Sequence, residues 1–177
     1  KPDLAQLTWI LEERDEIKKA QSILACVASG SKHPLSQAVS RSFSKTANQE
    51  TLSSWIELPG RGIEAERTPD IGTNSEKWRL GSIPWLKAEG IDVASTSEFL
   101  EEHSSKGATV IAFARDQQVI ALIALRDQLK PGAKAVLQSL SKMGLSVAMV
   151  SGDNRQTAEA ISAELGIPKS ATHAETS

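Results

Sequence analysis

The chain reads as an α/β (α+β) protein in two parts, on three observations. The stretch "ATVIAFARDQQVIALIAL" carries two β-branched, apolar runs around Asp116-Gln117-Gln118, the pattern of an antiparallel hairpin. "SWIELPGRGIEAER" repeats that arrangement around Gly60-Arg61-Gly62. From Asp127 onward the pattern changes to helix, apolar strand, turn and helix, as in a parallel α/β sheet. An antiparallel sheet flanked by helices is therefore predicted for the front, and part of a parallel α/β layer for the back. The change lies near residues 120–127 and divides the chain into 1–122 and 123–177.

Taken in order, "KPDLAQLTW" reads as a loose lead-in. "RDEIKKAQSILACVASG" sets Ile17, Ala20, Leu24 and Val27 on one helical stripe, with Asp15 as N-cap and Gly30 as the stop. A second helix starts at Pro34, where a missing N–H would be unpaired anyway, and carries Leu35, Ala38 and Val39 at helical spacing. The polar loop "SKTANQET" leads to the two strands around Gly-Arg-Gly. A further strand "EKWRLGS", a short helix "IPWLKAEGI" and a capped helix "TSEFLEEHSSKG" ending near Gly107 come next, then the hairpin. "KPGAKAVLQSLSKMG" is a helix with Pro131 at its start and Ala133, Val136, Leu137, Leu140 and Met143 on one face. "LSVAMV" has the near-continuous apolarity of a buried parallel strand, "SGDN" is a turn, and "RQTAEAISAELG" is a helix closed by Gly166.

Composition narrows the function. The 177 residues are 40% hydrophobic and 24% charged, ordinary for a globular protein with one sizeable core or two small ones. A net charge of −2 gives no electrostatic footprint for nucleic acid or an anionic membrane. Cys26 is the sole cysteine, which excludes an internal disulfide framework and a multi-cysteine metal site and fits a reducing, cytosolic setting. The longest apolar run, "VIALIAL" at 119–125, is far short of the roughly 20 residues of a membrane helix. The start lacks a signal-peptide layout and a methionine, as expected of a piece of a longer chain.

Four places carry candidate chemistry. Ser151, Gly152, Asp153 and Asn154 follow an apolar strand, where a parallel sheet places its ligands. Backbone N–H groups there favour an anion and the aspartate could orient Mg²⁺, but Asp153 or Asn154 would equally serve as a helix cap. Gly60 and Gly62 let a ligand approach the backbone, or simply permit a tight turn. His33, at the mouth of the second helix, is a ligand contact or a cap. Asp127 ends an apolar strand, as a site residue or a solvated carboxylate.

The ordered set "SKHPL", "PGRGIEA", "RLGSIPWL", "GATVIAF", "ALRDQLKPGAKAVLQSL" and "VSGDNRQTAEAISAELGI" resembles the cytoplasmic ATP-binding region of heavy-metal (P1B) P-type ATPases, over nearly the whole chain. The resemblance implies a nucleotide-binding domain over 1–122 and part of a Rossmann-like, haloacid-dehalogenase-like phosphorylation domain over 123–177. It implies that His33, Gly60, Gly62 and Ser82 bind ATP, and that Asp127, Ser151, Gly152, Asp153 and Asn154 organise phosphate and Mg²⁺. Residues 119–130 would belong to the hinge between the two domains. The partners implied are the remaining phosphorylation, actuator and transmembrane domains of one pump. Copper is the expected metal, the chain itself is expected to be monomeric, and its location would be a cytoplasmic domain of an integral membrane protein.

The departures from that pattern carry their own expectations. Relatives commonly have a glutamate five residues before the histidine, where this chain has Ala28, and often an asparagine where it has Ser82. If Ala28 faces the nucleotide, adenine is read less selectively here. Neither Asp-Lys-Thr-Gly-Thr, with its phosphorylated aspartate, nor Gly-Asp-Gly-x-Asn-Asp occurs in these residues, so the chain is expected to bind nucleotide without turning it over. Two other readings compete: a non-catalytic ATP-binding regulatory module, and a free-standing dehalogenase-like phosphatase. The latter would need Asp3 as nucleophile, although no apolar strand precedes it.

Overall fold

The computed structural model describes residues 2–43, 50–68, 74–127, 129–130, 132–151 and 155–174. In chain order these form β1 (Pro2–Trp9), α1 (Arg14–Ser29), α2 (Pro34–Phe43), β2 (Ser54–Leu58), β3 (Gly62–Arg67), β4 (Glu76–Ser82), α3 (Ile83–Ala88), α4 (Ser97–Ser105), β5 (Thr109–Arg115) and β6 (Gln118–Asp127). The back of the chain adds α5 (Ala133–Lys142), β7 (Met149–Val150), α6 (Arg155–Leu165) and β8 (Thr172–His173). The first six strands make one antiparallel sheet in the order β1-β6-β5-β4-β3-β2.

Period-two alternation explains why the central strands look apolar throughout. Ile111 and Phe113 of β5, with Ala121, Ile123 and Leu125 of β6, point to one face. Val110, Ala112, Ala114, Leu122 and Ala124 point to the other, and both faces are covered. On the first face α1 and α2 bring Ile23, Leu24, Val27, Ala38 and Val39 against Trp78 and Leu80. Trp78 and Phe113 stack there at 5.2 Å. On the second face α3 and α4 contribute Trp85, Leu86 and Phe99. A sheet buried on both sides needs no polar alternation, which is how "VIALIAL" becomes a strand and not a membrane segment.

The hairpin forms where expected, with Asp116 in the left-handed region at φ 53° and its carboxylate accepting the Lys77 N–H at 2.9 Å. Four expectations need correction. The lead-in is strand β1, paired from Pro2 with Asp127 to Trp9 with Ala121, because the edge of β6 offers it a full ladder of partners. Helix α1 begins at Arg14 with Glu13 at the cap, and Asp15 lies inside the first turn, where its charge complements the helix dipole. "LSVAMV" contributes only Met149–Val150, parallel to β8 as its type predicts but not buried: Leu145 and Val150 are exposed. Burial of a parallel strand comes from neighbours on both edges and layers on both faces, and β8 alone supplies one edge. Finally, the front part of the stretch expected as a hinge is ordinary sheet: residues 121–125 are bonded on both edges, by β1 and β5, and 126–127 by β1.

The boundary expected between 122 and 123 falls inside β6, which continues unbroken to Asp127. Arg126 at its end pairs with Glu164 of α6 and ties the back of the chain to the sheet. No residue of α5 is buried, and Val136 and Met143 are exposed. Pro131 and Gly152 to Asn154 lie outside the described residues.

Candidate functional site

The site grows from the junction of α1, α2 and the β2–β3 turn. Trp55 on β2 donates its indole N–H to the Val27 carbonyl at 2.9 Å, and its ring lies where a Gly30 side chain would stand. This contact seats β2 on the end of α1. Two residues further along the same face, Glu57 accepts a hydrogen bond from the Ser31 hydroxyl at 2.6 Å. Ser31 is buried, and its Oγ also accepts the His33 backbone N–H at 2.9 Å.

His33 is the cap of α2. Its carbonyl accepts the Gln37 N–H at 3.0 Å and its Nδ1 accepts the Leu35 N–H at 3.3 Å. A neutral ring with Nδ1 so engaged carries its proton on Nε2. The ring is exposed and lines the cavity described below, so the cap and the cavity wall are one side chain.

The glycines divide by role. At Gly60 (φ 71°) a Cβ would meet nothing, and the residue serves the turn. At Gly62 (φ 155°) a Cβ would collide with the Leu80 carbonyl and lie 2.8 Å from the Trp85 ring. Its cross-strand partner Gly81 is equally confined, since a Cβ there would lie 2.5 Å from the Arg61 carbonyl. Internal packing of Trp85 against β3 and β4 therefore accounts for Gly62 by itself. Ser82 follows, donating its backbone N–H to the Arg61 carbonyl at 3.0 Å and starting α3.

Together these pieces enclose a cavity of about 600 Å³, within the range of small-molecule sites. His33, Gly60, Gly62 and Ser82, the four positions singled out from the sequence, all line it. Its floor is apolar, with Leu58, Ile63 and Leu80, and Glu57 and Arg61 place one negative and one positive group on the wall. Ala28 does not face it. That side chain is fully buried in the core between α1 and the sheet, so the expectation that residue 28 looks onto a ligand is corrected. Sequence reading missed Ser31, Glu57, Arg61 and Gly81. The Ser31–Glu57 pair spans 26 positions and has no local signature.

The second candidate group is only partly described. Asp127 ends β6 opposite Pro2, and Ser151 donates its backbone N–H to the His173 carbonyl at 2.9 Å. Gly152, Asp153 and Asn154 lie outside the described residues, so the structure does not join them to Asp127. Among the described residues no group of three or more His, Cys, Asp or Glu side chains could hold a metal ion. Asp3 sits in β1 opposite Arg126, on an antiparallel edge strand and not at the end of a buried parallel one.

The chain thus combines an antiparallel sheet that carries this cavity with a separate two-stranded parallel pair. Residues 6–176 match the family of haloacid dehalogenase-like hydrolases, and the chain belongs to that family. Its homologues are P-type ATPases of the heavy-metal (P1B) type. It is 32% identical to "Probable copper-transporting ATPase PacS" of Synechococcus elongatus, over 88% of this chain and 20% of that protein. It is also 32% identical to the zinc-transporting ATPase of Bacillus subtilis, over 89% of this chain and 24% of that one. Among solved structures, a zinc-transporting PIB-type ATPase in the E2.Pi state covers 99% of this chain with a TM-score of 0.76 at 26% identity. The chain spans 27% of that protein, so all three relatives are several times longer. Among the described residues no helix is long and apolar enough to cross a membrane.

Proposed function

We propose that this chain is the ATP-binding region of a heavy-metal-translocating P-type ATPase, with copper as the transported metal. It holds ATP for phosphorylation of an aspartate that is not among these 177 residues. The front of the chain, divided at residue 122 by sequence pattern and carried on by its sheet to Asp127, acts as the nucleotide-binding unit, and the remainder to residue 177 as part of the phosphorylation unit, on the cytoplasmic side of a membrane protein. His33, Gly60, Gly62 and Ser82 contact the nucleotide. Asp127 and Ser151 to Asn154 organise its phosphates and Mg²⁺ once the other domains of the pump complete that site.

One observation carries the reading. His33, the Gly60–Gly62 turn and Ser82, from three separate stretches of sequence, line a single cavity of about 600 Å³. A flat imidazole at its rim can stack on a purine, and the apolar floor suits the base. The parts addressing the base are thus present in the chain, whereas those addressing Mg²⁺ are incomplete. Titration with ATP, followed by amide chemical shifts, should move residues 33 and 60–62 equally with and without Mg²⁺. Shifts confined to 151–154 would overturn the assignment.

A further inference from the structure

We infer that Glu57 reads the base of the bound nucleotide, accepting a hydrogen bond from the exocyclic amine of adenine. The inference rests on the ATP reading and supplies what that reading lacks, a polar group that tells one base from another.

The carboxylate lines the same cavity as His33 and the Gly60–Gly62 turn. Its position is set from two directions. Along β2, Trp55 anchors the strand to the Val27 carbonyl and Gly30, which fixes the face from which Glu57 projects. Across the junction, buried Ser31 spends its one hydroxyl proton on Glu57 Oε1 at 2.6 Å while its lone pair takes the His33 N–H at 2.9 Å. One serine therefore ties the Glu57 carboxylate to the His33 backbone, while the Leu35 N–H holds the imidazole through its Nδ1, so a base stacked on His33 has Glu57 beside it.

Only one oxygen of the carboxylate is used in this way. Among the described residues no other group bonds to the Glu57 carboxylate, and the residue is exposed on the cavity wall. An ionised carboxylate only accepts hydrogen bonds, so the free oxygen selects a base edge that donates. Adenine offers an amine at the position where inosine and guanine offer a carbonyl, and a carbonyl facing a carboxylate leaves two acceptors in opposition. Charge along the wall agrees. Glu57 and Arg61 stand on opposite sides of the Pro59–Gly60 corner, a negative group for the amine end and a positive one for an anionic tail. Ala28 cannot supply this contact, because it is sealed in the core.

The test is calorimetry on the 177-residue chain with ATP, inosine triphosphate, GTP and purine-riboside triphosphate, the last lacking the amine. The unaltered chain should bind ATP about tenfold more tightly than purine-riboside triphosphate, the scale of one hydrogen bond to a charged group. Glu57→Gln lets Ser31 hold the amide oxygen and turns an NH₂ donor toward the base. It should abolish that preference and move the ATP-to-inosine-triphosphate ratio toward the 6-carbonyl base by about tenfold or more. Glu57→Ala should bind all four alike, and its melting temperature, checked alongside, should fall only by the one hydrogen bond that buried Ser31 loses, the chain remaining folded. ATP binding with unaltered preferences in both variants would overturn the role of Glu57 and leave the ATP reading standing. A parent chain that prefers GTP would mean the carboxylate takes guanine's donors, which also overturns it. No nucleotide binding by the parent would overturn the ATP reading itself.

Discussion

Helices α2 and α5 are equally long, and each carries apolar residues on one face with polar residues on the other, yet they end differently. In α2, Ala38 and Val39 are wholly buried against α1 and the sheet. In α5 no residue is buried; Val136 is 59% exposed, and Met143, which caps the helix, 74%. The difference lies in what each helix finds next to it. Helix α2 meets a six-stranded sheet assembled from this chain alone, whereas among the described elements α5 packs substantially against α6 alone. An amphipathic pattern states that a face is suited to burial; it does not say that these residues suffice to bury it. The front of the chain completes its own core, and the back does not.

The comparison can be broken most forcefully inside the front core. Ala28→Glu places a carboxylate at a fully buried position in the apolar core between α1 and the sheet, and should cost about 3 kcal/mol or more of stability. Chemical denaturation checks this, and a stable variant with tighter ATP binding would show that residue 28 faces the ligand after all. A matched pair sharpens the contrast between the two helices. Val39→Ser should lose about 2–3 kcal/mol, by lost burial plus a cavity, while Val136→Ser should change stability by less than about 0.5 kcal/mol. Similar losses in both would mean that α5 is covered in solution.

A smaller effect separates the two roles of His33. Asparagine is a good N-cap but has no ring, so His33→Asn should keep the melting temperature while weakening ATP binding by about 1–2 kcal/mol. Unchanged binding with a lowered melting temperature would leave only the cap. The smallest effect concerns Cys26, whose thiol donates to the Glu50 carbonyl at 3.3 Å. Burial, and then the nearby Glu50 carboxylate, push its pKa up. A raised folded-state value means the folded chain keeps a proton that the unfolded chain loses. The stabilisation is present below the unfolded thiol pKa and fades as pH rises through the folded one. Alkylation at pH 8 should accordingly be slower in the folded chain than in urea, and equal rates would contradict it.

Most elements of the front were legible because period and punctuation agree there. The β5–β6 hairpin, the Gly-Arg-Gly strand pair and the helix from Pro34 each rest on residues within a few positions of one another. Strand β1 was not legible: its alternation is weak, and its strand character comes from the open edge of β6, more than 110 positions away. The site divides in the same way. His33, Gly60, Gly62 and Ser82 stand in short recognisable stretches, whereas Ser31, Glu57 and Gly81 matter only through partners on other elements.

By itself the sequence determined the change of pattern along the chain, four of the residues around the cavity and the family, since all of these follow from local spacing and ordered motifs. Only the tertiary structure decided which way those residues face. It turned Ala28 into the core, made His33 a cap as well as a wall, gave Gly62 to Trp85, and brought Glu57 to Ser31. The reason is geometric. Spacing along a helix or strand fixes which residues share a face, but what that face meets depends on crossings between elements far apart in the chain.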